Sequence, residues 1–422
     1  MNALPLGWES RSLSDVCLRA KKSDPVALGR STIRYIDIGS IDASRHSLTD
    51  VPTLEAASAP TRARQIVRTG DTVFSTVRPY LEKIAYVCVD LDDEFASTGF
   101  CVLRPGPRLD ARWLFHFSTS RLLLDQVLPH QRGVSYPAVR DNEVLAAEIP
   151  LPDIVTQRRI VELLEDHLSR LHASDQGLEM ARRRLGQMTI SALMVSLGAG
   201  VHHPGPRREI SFGATHFAIP EAWEPSTVGA MSEVVEYGSG AKAEPEPGIG
   251  RVPVLRMGNV KGGALIWDSL KYLPESHPDV ARLRLLPGDL LFNRTNSAEH
   301  VGKSAVFHGE REATFASYLI RVRFKSAVNP QWASRVINSP WGRQFVASVV
   351  SQQVGQANVN GTKLRAFPLP VPPRADQDAI VARLEELDDA AVRLGVQLAD
   401  AKARSATLRC SLLAAAFAGR LT

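Results

Sequence analysis

The chain has 422 residues, 44% of them hydrophobic and 23% charged, with a formal net charge of +5. A single core rarely grows past ~250–300 residues, so at least two domains are expected, and this composition excludes disorder, collagen-like repeats and low-complexity scaffolds as the main character. No apolar run reaches the ~18–20 residues that a helix needs to cross a bilayer.

In chain order, no basic stretch followed by an apolar one opens the sequence, so no secretory leader is expected. Cys17, Cys88, Cys101 and Cys410 form no CxxC pair, which points to neither a zinc ribbon nor a disulfide framework. A reduced, cytoplasmic protein is the expectation. Arginine outnumbers lysine about four to one. That suits bidentate recognition of phosphate and guanine, and it equally suits GC-rich coding, so charge alone leaves nucleic-acid binding open.

Short apolar or β-branched runs at 33–38, 72–75 and 100–103 predict strands. A helical stretch follows at 111–127, then a polar, glycine-containing loop. Pro150-Leu151-Pro152 reads as an extended connector, because each proline pushes its predecessor away from helix. A long helix is predicted over 153–198, with Val161, Leu164, Leu168, Leu171, Leu178, Leu185 and Ala192 on one seam interrupted by Asp175, Arg182 and Thr189. Residues 199–214, with Pro204, Pro206 and several glycines, predict a linker.

The same plan then returns. Leu4-Pro5-Leu6-Gly7-Trp8-Glu9 recurs as Ile219-Pro220-Glu221-Ala222-Trp223-Glu224, Gly70-Asp71 as Gly288-Asp289, and Phe95-Ala96-Ser97 as Phe315-Ala316-Ser317. Ile149-Pro150-Leu151-Pro152 recurs as Phe367-Pro368-Leu369-Pro370, and Gln157 with Ile160-Val161 as Gln377 with Ile380-Val381. Order is kept at an offset of about 218 residues, so a whole unit is duplicated. Strands are predicted at 252–257, 289–292 and 319–324, and helix at 330–350. The second long helix, 373–422, carries Ile380, Leu384, Leu387, Ala391, Leu394, Leu398, Ala401, Ser405, Leu408 and Leu412 at strict 4-3 spacing. Each long helix spans about 40 residues, roughly 60 Å. Two such helices hide their apolar seams by packing on each other. The predicted fold is α+β: two similar globular α/β domains, 1–152 and 215–372, joined by an antiparallel coiled coil in a pseudo-two-fold repeat.

Catalytic motifs are missing. There is no HExxH, no zinc-deaminase pattern and no NPPY- or DPPY-type tetrapeptide. Gly302-Lys303-Ser304 lacks the earlier glycine of a phosphate loop, because Ser297 stands there. Gly238-Ser239-Gly240 lacks the third glycine of a dinucleotide fingerprint and reads as a flexible loop. His202-His203 has no further ligands nearby in sequence. Asp71 and Asp289 follow glycine in matching turns rather than forming an acid pair. The protein is therefore expected to bind rather than react, with no metal or cofactor of its own. Candidate DNA contacts are Arg78, Tyr80 and Lys83 with the loop residues Arg132, Ser135 and Tyr136. In the second half they are Arg294, Asn296 and Lys303 with Gln353, Gln356, Asn358 and Asn360. Arg, Lys, Gln and Asn can read base edges through paired hydrogen bonds. Leu164, Leu171, Leu178, Leu185, Leu387, Leu394, Leu398 and Leu408 are the candidate helix-seam or partner residues.

Taken together, the doubled Pro-x-x-Trp-Glu opening, the Gly-Asp strands, Phe-Ala-Ser and the Pro-Leu-Pro junction before a long helix resemble the specificity subunit of type I restriction–modification systems. The resemblance covers essentially the whole chain. The sequence departs from its own repeat at Gly133-Val134-Ser135-Tyr136-Pro137 against Gly355-Gln356-Ala357-Asn358-Val359, where recognition loops diverge. The resemblance implies a non-enzymatic subunit with two target recognition domains, each reading half of a bipartite double-stranded DNA target. The helices would set the spacing and dock two methyltransferase subunits, which bring S-adenosylmethionine and methylate adenine. ATP-dependent restriction subunits would join some assemblies. The alternatives are a specificity subunit whose partner fuses modification and cleavage, a coiled-coil adaptor that binds proteins, and a stand-alone nuclease or methyltransferase.

Overall fold

The computed structural model describes residues 4–133, 135–196, 205–212, 215–296, 301–353 and 356–421. The chain divides into two compact units, one of Met1–Met180 with Leu398–Thr422 and one of Ala181–Gln397. Each unit therefore takes a piece of both long helices, Ile154–Met194 and Arg374–Phe417.

In the first unit, one four-stranded sheet has the order Thr53–Glu55, Thr32–Ile36, Phe95–Ser97, Ala63–Ile66. A second has the order Cys17–Leu18, Phe100–Pro105, Thr72–Ser75, Ile84–Tyr86. The second unit repeats the plan. Its sheets run Lys271–Pro274, Arg251–Leu255, Thr314–Phe315, and Ser232–Tyr237, Leu319–Phe324, Leu290–Asn293, Ser304–Val306. Each unit pairs two strands in parallel, with Phe95 beside Tyr35 in the first and Leu255 beside Phe315 in the second.

The repeated motifs are structural devices. Trp8 closes a turn by donating its backbone N–H to the Pro5 carbonyl at 3.1 Å, and Trp223 does the same to Pro220 at 3.0 Å. The turns set Trp8 edge-on against Trp113, centroids 5.8 Å apart, and Trp223 against Trp332 at 5.5 Å. The inner tryptophans donate Nε1–H to Pro150 and Pro370 carbonyls at 3.0 and 2.9 Å. Those prolines do not lie in connectors as expected. Glu148–Leu151 is a strand paired with Glu9–Ser12, and Pro368–Val371 one paired with Glu224–Thr227. Two-stranded ribbons tolerate proline because its missing N–H faces no partner. Gln157 and Gln377, both fully buried, then clasp the start of each long helix. Each accepts one backbone N–H and donates to two carbonyls.

Both predicted 17- to 21-residue helical stretches are broken. The first splits into Ala111–Ser118 and Arg121–Val127 at Ser120, the second into Pro330–Asn338 and Pro340–Val349 at Ser339-Pro340. Pro340 lacks the N–H to continue a helix, and Ser339 caps the new one by accepting the Gly342 N–H at 3.1 Å. Part of the expected linker is also ordered. Arg207–Phe212 pairs with Thr215–Pro220, and Ile210 and Phe212 enter the second unit's core. The rest of that linker, 199–204 with 213–214, lies outside the described residues.

In the first unit, Val161 and Leu164 share a core with Leu413, Ala416 and Phe417. In the second, Leu193 and Met194 pack on the core that holds Val381. Leu164 is fully buried, and Leu171, Leu178 and Leu185 are half-buried. The second helix keeps most of its predicted seam covered, Leu384, Ala391 and Ser405 among it, and departs from it at three leucines. Leu398 is half-buried, but Leu387, Leu394 and Leu408 are exposed, by 38%, 47% and 49%. The covered row is Gln377, Val381, Leu384, Asp388, Ala391, Gly395, Leu398 and Ser405. It keeps the 4-3 spacing as far as Leu398, but five of its eight positions are polar or small, and Gln377, Asp388 and Gly395 are ones that a search for apolar periodicity passes over. Asp388 is retained there by an ion pair with Arg335 at 2.5 Å. Leu164→Ala is accordingly expected to cost ~2–5 kcal/mol in urea denaturation. Leu394→Ala is expected to cost less than ~0.5 kcal/mol. Equal losses would restore the predicted seam. No helix among the described residues is long and apolar enough to cross a membrane.

Candidate nucleic-acid interface

Both polar loops spring from the same point of the framework. In the first unit Thr76 donates its N–H to Gly99 and accepts from Val139, at 3.0 and 2.9 Å. In the second Arg294 donates to Tyr318 and accepts from Val359, at 3.1 and 2.9 Å. Beyond that root the units diverge. The first loop is a small turn, closed by reciprocal bonds between Arg132 and Ala138 at 3.0 and 2.9 Å. Gly133 sits at φ +98°, where a side chain would be strained. The second loop extends into a three-stranded sheet of Thr295–Asn296, Gln356–Asn358 and Ser351–Gln353.

The candidate contact residues fall into three groups. Tyr80, Ser135 and Tyr136 are exposed, Tyr136 by 71%. Others are already engaged. Lys83 donates its Nζ to the Ile41 carbonyl, and Arg132 pairs with Glu143 at 2.8 Å. Asn360 caps the short helix Gly361–Arg365 by accepting the Lys363 N–H at 2.9 Å, and Asn358 accepts from Arg294 at 3.5 Å. Arg78 donates to the Ser135 carbonyl at 3.1 Å and lies 4.8 Å over the Tyr136 ring, while Arg294 lies 4.7 Å over Tyr237. The third group is placed by backbone only. Asn296, Gln353 and Gln356 sit in the small sheet, with Gln353 opposite Gln356, and their side chains are outside the described residues, as is Val134.

Lys303, the counterpart of Lys83, lines a cavity of about 500 Å³ with Arg256, Lys261, Asn293 and Tyr318. Motif reading missed Arg256, Lys261 and Tyr318, because they belong to no repeated landmark. Gly238 is no flexible loop: a Cβ there would lie 2.3 Å from the Phe315 carbonyl, so glycine permits close backbone approach.

The Gly-Asp turns gain a partner that the motif did not show. Gly70 and Gly288 sit at φ +91° and +92°. Asp71 accepts the Arg68 N–H at 2.8 Å and pairs with Arg104 at 2.7 Å. Asp289 accepts from Leu286 at 2.9 Å and pairs with Arg323 at 2.8 Å and Arg321 at 3.4 Å. These buried pairs hold the strands from which the loops depart. Where the first unit meets its long helix, Glu165 bonds His116 at 3.0 Å and Arg112 at 2.5 Å. Those contacts, His116 foremost, hold its carboxyl down to about 2, while burial pushes the His116 imidazole below its ordinary range. Among the described residues no group of three or more His, Cys, Asp or Glu is placed to hold a metal ion. His202-His203 lies outside them.

Fold and loops together define a duplicated framework: two α/β units, each offering a polar loop from a fixed root, the first with Tyr136 on it. Residues 5–178 match the family model of the type I restriction modification DNA specificity domain. The chain is 26% identical to the type I restriction enzyme EcoKI specificity subunit of Escherichia coli (strain K12) over 334 residues, 78% of this chain and 70% of that protein. It is 23% identical to the StySPI specificity subunit of Salmonella potsdam over the same shares. A chain from a solved structure on complex assembly and conformational transition of the type I R-M system aligns over 100% of both chains with TM-score 0.79 and 25% identity. The HsdS subunit from Thermoanaerobacter tengcongensis aligns over 99% of this chain and 98% of its own, with TM-score 0.64 and 25% identity. Together the domain match and the full-length likenesses indicate a DNA specificity subunit of a type I restriction–modification system.

Proposed function

We propose that each unit reads one half of a bipartite double-stranded DNA target and that the two long helices, paired antiparallel, fix the distance between the halves. The supporting observation is the doubled root: one strand order in the sheet that carries it and one pair of backbone bonds, with two unlike loops grown on it. A single framework with divergent loops is what two different half-sites require. Basic side chains would hold phosphates while loop side chains reach base edges. The chain is a non-catalytic, cytoplasmic subunit in this reading and carries no cofactor. S-adenosylmethionine belongs to two docked methyltransferase subunits, and ATP to restriction subunits where these are present. The exposed Leu387, Leu394 and Leu408 are available to such partners.

The test is methylation sequencing of cells that express this chain with its modification partner. One split adenine-methylated motif is expected, and it should vanish without the chain. Gln353→Ala, Gln356→Ala and Asn358→Ala should relax only one half of that motif. Equal weakening of both halves would make the second loop a phosphate contact. An unchanged methylome, with the partner active, would overturn the role.

A further inference from the structure

We infer that Arg78 and Arg294 are positioning residues that lock the recognition loops, and that neither reads a base nor binds a phosphate. This rests on the reading of the two units as DNA readers. Arg78 and Arg294 are not equivalent in the repeat, since Thr76 holds the framework position of Arg294. Even so, both units put an arginine face over a tyrosine ring at the loop root, at 4.8 and 4.7 Å. In both, the guanidinium also bonds the loop, through the Ser135 carbonyl in one and the Asn358 amide oxygen in the other. The Nε of each is buried away from solvent. Arg78 adds a backbone bond to Pro137 at 2.7 Å and adopts φ +48°, a conformation that few side chains tolerate without fixed surroundings. Tyr237, beneath Arg294, accepts the Gly361 N–H at 2.7 Å and so ties the far end of the second loop to the same stack. A loop held only by its own short turn would sample several shapes. A planar cation stacked on an aromatic ring and bonded to the loop selects one.

The experiment uses the assembled complex of this chain with its methyltransferase subunits, on duplexes carrying the target read from the methylome and every single-base variant. For Arg78→Lys, which keeps the charge, preference for the cognate first half-site is expected to fall about tenfold across all its positions. The second half-site should be untouched, and the slope of log affinity against log salt unchanged. Tyr136→Ala should give the same loss and add nothing to Arg78→Lys, whereas Tyr136→Phe should behave as wild type. Arg294→Lys should affect only the other half-site. Because lysine still neutralises a phosphate, Arg78→Gln is measured too: a slope shallower by about 0.9 would mean a phosphate contact. Loss of discrimination at one base position alone would mean direct readout. Either result overturns the inference. Wild-type complex without target preference would instead overturn the DNA-reading role itself.

Discussion

Replacing Phe417 with alanine should lower the stability of the first unit by ~3–5 kcal/mol while leaving the second unit intact. Phe417 lies at the end of the second long helix and is 2% exposed. Its ring is tilted 4.4 Å from Trp113 and edge-on 5.6 Å from Phe117, and Leu413 and Ala416 enter the same core. A side chain more than 400 residues from the N-terminus thus completes a core begun by Trp8. The backbone there has no room to follow a shrinking side chain: a Cβ at Gly419 would lie 2.5 Å from Pro5. The cavity left by Phe417→Ala is therefore expected to persist, which places the cost at the upper end of the range. Hydrogen exchange read peptide by peptide during urea denaturation separates the units. A loss under ~1 kcal/mol, or an equal loss in both units, would show that the helix end is an appendage rather than part of the core.

The doubled landmarks carried most of the fold because each is a packing device with its own local logic. Pro5 and Trp8 make a turn, Gly70 and Asp71 open a strand, and Gln157 clasps a helix start. Their meaning as partners was less legible. Asp71 requires a buried cation, but nothing near it in sequence indicates Arg104, which only pairing of strands brings within 2.7 Å. Aligning Arg104 with Arg323 across the repeat was the available signal. The second helix misled in part for a different reason: apolar periodicity favours Leu387 and Leu394, whereas burial there follows their neighbours Asp388 and Gly395, and Asp388 is held by Arg335 of the domain packed against it. The loops were found by composition, yet composition does not tell an asparagine that meets DNA from Asn360, which caps a helix.

The second large effect concerns Arg104. Asp71 is 0% exposed, and burial pushes its carboxyl above the ordinary range even though the Arg104 guanidinium and the Arg68 N–H pull it down. Desolvation thus already offsets the attraction, so the pair itself adds little stability. Removing one member is another matter. Arg104→Met leaves a buried carboxylate with no cation, and the first unit should lose ~3–5 kcal/mol at pH 7. The pH dependence fixes the cause. A carboxyl whose folded pKa is raised binds its proton more tightly folded than unfolded. Its contribution is therefore fully present below the unfolded value of 3.8 and is lost as pH rises through the folded one. With Arg104 gone the rise is larger, so the deficit of Arg104→Met against wild type should shrink as pH falls toward 4. Adding Asp71→Asn should recover part of the loss at pH 7, because the amide oxygen still accepts the Arg68 N–H without a charge. Denaturation at both pH values measures this, and an equal deficit at each would assign the loss to packing of the arginine stem. The second unit supplies the contrast. Asp289 keeps Arg321 at 3.4 Å when Arg323 is replaced, so Arg323→Met should cost less than Arg104→Met does in the first unit.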